Sequence, residues 1–300
     1  MKFWTQKRRP AGTVAIRADR VLWTIAERHR GGGWSPTDGG VIEVDPSTGP
    51  EATSLSELWS DQWVDWGLVV PAFTHAGLFA LPPLDEGEMA RGVHLQIERQ
   101  FSIDPNATHI DYEMLPAGGK LAGATATVSP NALLIALPKQ GLDHWIQWAG
   151  RLPYPPTRLE PTLPALLRAL RSLPEYQTSR GSLWIHHDLG STVAVIASEG
   201  NSLALRELGP EHGIPIDPWA DPNEHRFREF IVECEDRYPD LELETVYALG
   251  EVDPTRVAEL AERLDLGVGE ITRPTVPESL VADDGWVIPY GDLLEVGPYE

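Results

Sequence analysis

Residues 182–208 constrain the fold more than any other stretch. They read Ser-Leu-Trp-Ile-His-His-Asp-Leu-Gly-Ser-Thr-Val-Ala-Val-Ile-Ala-Ser-Glu-Gly-Asn-Ser-Leu-Ala-Leu-Arg-Glu-Leu. Three strands are expected in succession, at Leu183–His187, Val193–Ala197 and Leu203–Leu208. Asp188-Leu189-Gly190-Ser191-Thr192 joins the first two, and Glu199-Gly200-Asn201-Ser202 turns the second pair. The first turn has two readings. A carboxylate at a strand end followed by Gly, Ser and Thr can hold hydrated Mg²⁺ while backbone N–H groups face a phosphate, and Gly190 leaves room for close approach. The same residues also make an ordinary hairpin, because each tolerates or stabilises turn geometry.

Composition narrows the function classes. With 24 basic against 45 acidic residues, the formal charge of −21 argues against nucleic acid, whose binding requires a cationic face. It also disfavours broad adsorption to anionic lipid. The 300 residues suit one large domain or two lobes, and a 42% hydrophobic content can fill a sizeable core. The single cysteine, Cys234, excludes an internal disulfide and a cysteine-based zinc site, and falls on the apolar face of an expected helix. No signal peptide and no bilayer-length apolar run is present, so a cytoplasmic chain is expected.

Strands are expected at Thr13–Ile16, Val21–Ile25, Val41–Val44, Leu68–Phe73 and Gly77–Leu81, with Leu55, Leu58, Trp59 and Trp63 at helical spacing between them. After Pro82-Pro83 a new unit starts. Asp85 and Glu88 fit a capping box, and Met89, Val93, Ile97 and Phe101 form one apolar stripe. Strands at His109–Leu115, Leu121–Val128 and Ala132–Leu137 follow, then a helix burying Leu142, Trp145, Ile146 and Ala149. Thr157–Glu160 reads as a strand and Thr162 as the cap of a helix with Leu163, Leu166, Leu167 and Leu170 on one face. Phe227, Phe230, Ile231 and Cys234 mark a helix, and Leu243–Leu249 a strand ending in Gly250. Asp253-Pro254 places a cap and a first-turn proline before the helix of Val257, Leu260, Ala261 and Leu264. Residues 274–300 read as irregular.

This order of elements resembles the actin-like family that contains PilM of type IV pili and GspL of type II secretion, over roughly residues 67–272. Leu81-Pro82-Pro83-Leu84, Gln96-Ile97-Glu98-Arg99-Gln100-Phe101 and Asp111-Tyr112-Glu113-Met114-Leu115 look like the inserted subdomain of PilM. Leu134–Lys139, Ala149-Gly150 and Leu159-Glu160-Pro161 are similar to the stretch leading back to the first lobe. Asp188–Thr192 matches the family's second phosphate loop, and Leu249-Gly250 sits where a glycine turn meets adenosine. The resemblance implies an α/β, two-lobed actin-like (ribonuclease H-like) ATPase fold with a small α+β subdomain inserted in the first lobe. The expected boundaries are 1–81 for the first lobe, 82–150 for the insert, 151–176 for the return and 177–300 for a second lobe with one reduced subdomain.

Two of the three nucleotide elements depart from the family pattern. The first-loop turn is Arg17-Ala18-Asp19-Arg20, without glycine, and Arg17 stands about where a metal-organising Asp belongs. Gly250 is followed by Glu251-Val252-Asp253, acidic side chains that repel a polyphosphate. The resemblance therefore implies a cytoplasmic scaffold of the inner-membrane assembly platform, with no cofactor expected. Its implied partners are a PilN-like or GspM-like membrane protein and the hexameric assembly ATPase. Membrane contact is expected only indirectly or through a segment beyond residue 300. In PilM an extended PilN peptide binds near the insert, which implies partner contacts around Leu81, Leu84, Ile97 and Phe101. The alternative is a working ATPase that holds Mg-ATP with Asp188, Gly190, Ser191, Thr192 and Gly250. His186, His187 and Asp188 also invite a metal, but adjacent strand residues point to opposite faces and no third ligand is evident.

Overall fold

A computed structural model describes residues 10–17, 20–28, 34–43, 65–71, 75–82, 86–101, 103–115, 130–188, 191–208, 221–281 and 284–295. The first strands are β1 (Ala11–Ile16), β2 (Arg20–Arg28), β3 (Trp34–Glu43), β4 (Asp65–Val70) and β5 (His75–Phe79). Helix α1 (Glu86–Phe101), β6 (Thr108–Met114), β7 (Ala132–Pro138), α2 (Lys139–Ala149), β8 (Arg158–Pro161), α3 (Thr162–Ser172) and α4 (Pro174–Thr178) follow. The remainder is β9 (Ser182–Asp188), β10 (Ser191–Ser198), β11 (Asn201–Leu208), α5 (Asp221–Arg237), β12 (Thr245–Gly250), α6 (Pro254–Leu264), β13 (Gly267–Val268) and α7 (Val287–Glu295). The expected helix at 55–63 and strand at 121–128 lie outside the described residues.

The chain divides into two compact units. One comprises residues 1–72, 140–170 and 274–300, the other 73–139 and 171–273. The first unit holds a five-stranded sheet in the order β3-β2-β1-β4-β8. β1, β2 and β3 form an antiparallel meander, and β4 and β8 add in parallel. The second unit repeats this plan as β11-β10-β9-β12-β13, with three antiparallel strands and then two parallel ones. It also holds a separate antiparallel sheet, β5-β7-β6.

Alternation along the strands sorts the side chains by face. On one face of the first sheet, Val14, Ile16, Val21, Ile25, Trp66, Leu68 and Val70 pack with Ala149, Leu152, Trp145 and Trp148. On the other, Ala11 and Ala26 pack with Leu293 of α7. In the second unit Leu183, Ile185, Ala194, Ile196 and Val246 meet Phe227, Phe230 and Cys234 of α5 and Val257, Leu260 and Ala261 of α6. Burial pushes the Cys234 thiol up to about 12, so it is an inert core group. The α6 cap forms as the sequence indicates: the Asp253 carboxylate accepts from Thr255 N and Pro254 opens the helix.

Three local expectations change. Helix α2, read as the last element of the insert, packs on the first sheet through Trp145, Trp148 and Ala149, while Ile146 is exposed. β5, read as part of the first lobe, pairs with β7 in the insert sheet. Residues 274–300, read as irregular and placed in the second lobe, contain a 3₁₀ turn at Glu278–Leu280 and helix α7, and belong to the first unit. The reason is burial: Trp286, Val287, Ile288 and Leu293 are all enclosed there. Among the described residues no helix is long and apolar enough to cross a membrane.

Candidate functional site

The strand pairing brings most of the expected nucleotide residues to one end of the second sheet. Asp188 ends β9 and faces Ser191 at the start of β10, while Thr192 faces His187. β12 runs parallel to β9 and pairs Gly250 with His187. Asp188, Ser191, Thr192 and Gly250 therefore gather at the carboxyl ends of β9 and β12, the edge at which open α/β sheets receive ligands. Gly190 lies outside the described residues, and Arg17 is a buried side chain at the β1–β2 turn, whose backbone N–H donates to Arg20 O at 2.8 Å.

Two of these residues have structural tasks. Thr192 is fully buried, and its hydroxyl lies 2.9 Å from His187 Nδ1, a cross-strand hydrogen bond. Gly250 has φ +91°, a conformation that disfavours L side chains, and a Cβ there would strike the His187 carbonyl. That carbonyl accepts from Glu251 N at 2.9 Å, and Val252 N donates to Gly250 O at 2.9 Å. The backbone alone thus requires glycine at 250. The helix that follows begins with the Asp253 carboxylate on its own N–H groups, so an anion meets a like charge there.

His186 and His187 point to opposite faces, as strand geometry requires: His186 is buried, and His187 is half-buried against Thr192. Among the described residues no group of three His, Cys, Asp or Glu side chains is arranged to hold a metal ion.

The expected partner residues are corrected by burial. Leu81 and Ile97 are core residues of the insert, packed with Met89, Val93, Leu134 and Ala136, so neither offers surface to a partner. Phe101 is half-buried against that core and meets Phe79 edge-on. Leu84 lies outside the described residues. A residue without any signal in the sequence, Asn131, fixes this region. Its amide accepts from Leu81 N at 2.7 Å and donates to Leu81 O at 2.8 Å, in the manner of a neighbouring strand.

No family model and no curated protein matches the chain. Solved structures do. A chain of the PilM-PilN type IV pilus biogenesis complex superposes with a TM-score of 0.65 at 16% identity, covering 95% of this chain and 98% of that one. A Bacteroides thetaiotaomicron protein of unknown function with an actin-like ATPase fold matches with a TM-score of 0.53 at 10% identity, over 89% and 93%. Together with the duplicated sheet order, these likenesses establish that the chain has an actin-like α/β fold, similar to that of the chain from the PilM-PilN complex.

Proposed function

We propose that this chain is a PilM/GspL-like scaffold at the cytoplasmic face of a bacterial inner membrane, within the assembly platform of a type IV pilus or a type II secretion system. It binds a bitopic PilN-like or GspM-like protein and the hexameric assembly ATPase, and does not itself hydrolyse ATP. The observation that carries the reading is the fold likeness to a chain of the PilM-PilN complex over nearly the whole of both chains. The sheet-end geometry supports the absence of turnover. The Thr192 hydroxyl serves the hairpin, Gly250 serves the backbone, and Glu251 and Asp253 place negative charge beside them.

The test is co-expression with the bitopic candidate from the same source, followed by membrane flotation. The chain should float with the membranes when the partner is present and remain in the soluble fraction when the partner's cytoplasmic segment is removed. Flotation that ignores the partner would overturn the scaffold reading.

The ATPase alternative rests on one observation: Asp188, Ser191, Thr192 and Gly250 do converge on one sheet end. It requires Mg-ATP to bind and Asp188→Ala to abolish that binding.

A further inference from the structure

The face of the first sheet turned toward α7 carries a buried polar row. Thr13 of β1 pairs with Gly67 of β4, and Gly67 with Arg158 of β8. Asp292 of α7, fully buried, sits over this row. Its Oδ2 accepts from the Thr13 hydroxyl and, at 2.8 Å, from Arg158 Nη2. Gly67 makes the space: a Cβ there would meet Asp292 and lie 2.6 Å from Arg158 Nη2. Two residues further along β8, Glu160 lies on the same face of the sheet. Arg168 of α3 donates to both of its oxygens and, through Nε, to Gly291 O of α7 at 3.1 Å. Gly291 lets α7 press onto the Ala165 carbonyl.

The cluster contains one unsatisfied acceptor. Asp292 Oδ1 is buried without a hydrogen-bond partner, and Arg168, which binds the Glu160 carboxylate, also binds the carbonyl of Gly291, the residue before Asp292. Two ionised carboxylates cannot bond to each other, whereas one proton between them satisfies both. We propose that Asp292 and Glu160 share one proton, and that this carboxyl–carboxylate pair is the latch that holds α7 on the first lobe. When the proton leaves to solvent, two buried negative charges face each other and α7 lifts while the sheet stays folded.

Burial, and after it the neighbouring Asp292 charge, push the Glu160 carboxyl up to about 8, against the opposing pull of Arg168. The other ionisable groups that strand alternation turns to this face are Arg17, Arg20, Glu43 and Asp65, in other rows of the sheet. The helix carries Asp292 where an apolar seal would be expected, and this gives the docking its proton dependence.

Hydrogen exchange read by mass spectrometry on the whole chain tests this. Protection of residues 287–295, corrected for intrinsic exchange, should fall about tenfold per pH unit as pH rises toward the pair's midpoint near 8 and level off above it, while β1 and β4 keep theirs. Glu160→Gln retains a donor and cannot ionise, so its α7 protection should be flat from pH 6 to 9. Equal loss in α7 and β1 would overturn the latch, as would unchanged protection of α7 in the wild-type chain. So would a Glu160→Gln protein that keeps the wild-type pH dependence. The wild-type profile decides even where the variant does not fold.

Discussion

Replacing Gly250 by alanine separates two reasons for a glycine at the end of β12. The residue has φ +91°, which strains an alanine by about 1–3 kcal/mol. The new Cβ also strikes the His187 carbonyl, which is held from both sides by the β9–β12 ladder and by Glu251 N. Overpacking against a fixed group adds about 1–3 kcal/mol. The sum, about 4 kcal/mol, should lower the melting temperature by roughly 8–16 °C for a domain of this size. Gly200→Ala is the internal control. Its φ of +78° brings a similar strain, but its Cβ meets the end of the flexible Gln177 side chain, which can turn away. Gly200→Ala should therefore fall only by the backbone term, about 1–3 kcal/mol. Both variants are melted without nucleotide, followed by tryptophan fluorescence. If Gly250 exists only to let a base approach, Gly250→Ala will melt within about 2 °C of the parent, and the backbone argument is refuted.

Other outcomes follow from the same geometry. Mg-ATP should give no calorimetric heat and no thermal shift; a true ligand at a hundred times its dissociation constant would add about 2.7 kcal/mol of stability. A shift that Asp188→Ala removes would establish the ATPase alternative. Glu160, raised in the folded state from 4.5 to about 8, contributes stability that is complete below pH 4.5 and lost as pH rises through about 8. Urea titrations should show a slope of up to about 1.4 kcal/mol per pH unit in that window, and Glu160→Gln should remove it; an unchanged slope would show that other groups set it. Asp253→Ala removes the α6 cap and should cost about 1 kcal/mol in the same titration, whereas no change would mean that Pro254 alone sets the helix start.

Local signals were readable and long-range ones were not. The β9–β11 meander was legible because alternation and the Glu199-Gly200 turn are both local, and both turn residues do take positive φ. The same holds for Met89, Val93 and Ile97 on α1 and for Asp253-Pro254 before α6. Leu81 and Ile97 were expected at a partner surface from the family resemblance, which points to a region and not to the exposure of single side chains, and both are found inside the insert. Helix α7 was illegible because Pro289 and Gly291 interrupt its pattern. Pro289 falls in the first turn, where its missing N–H has no intrahelical partner to lose, and Gly291 answers to Ala165 across the packing rather than to its own helix. The Thr13–Asp292 contact joins residues 279 positions apart, and no local pattern announces it. In the nucleotide region the glycine itself was visible, but its reason, the His187 carbonyl beside it, exists only once β9 and β12 are paired.

The same separation fixes an order of events during synthesis. β1 to β4 leave the ribosome before the second unit, yet the helix that covers one face of their sheet is made after it. The second unit, whose parts lie between residues 73 and 273, can close around its own core while the first still waits with a polar slot and the apolar Ala11–Ala26 patch uncovered. A ribosome stalled before residue 287 should therefore display a finished second unit and a first unit open to chaperones and proteases, so that β1 to β4, made before the second unit, are protected after it.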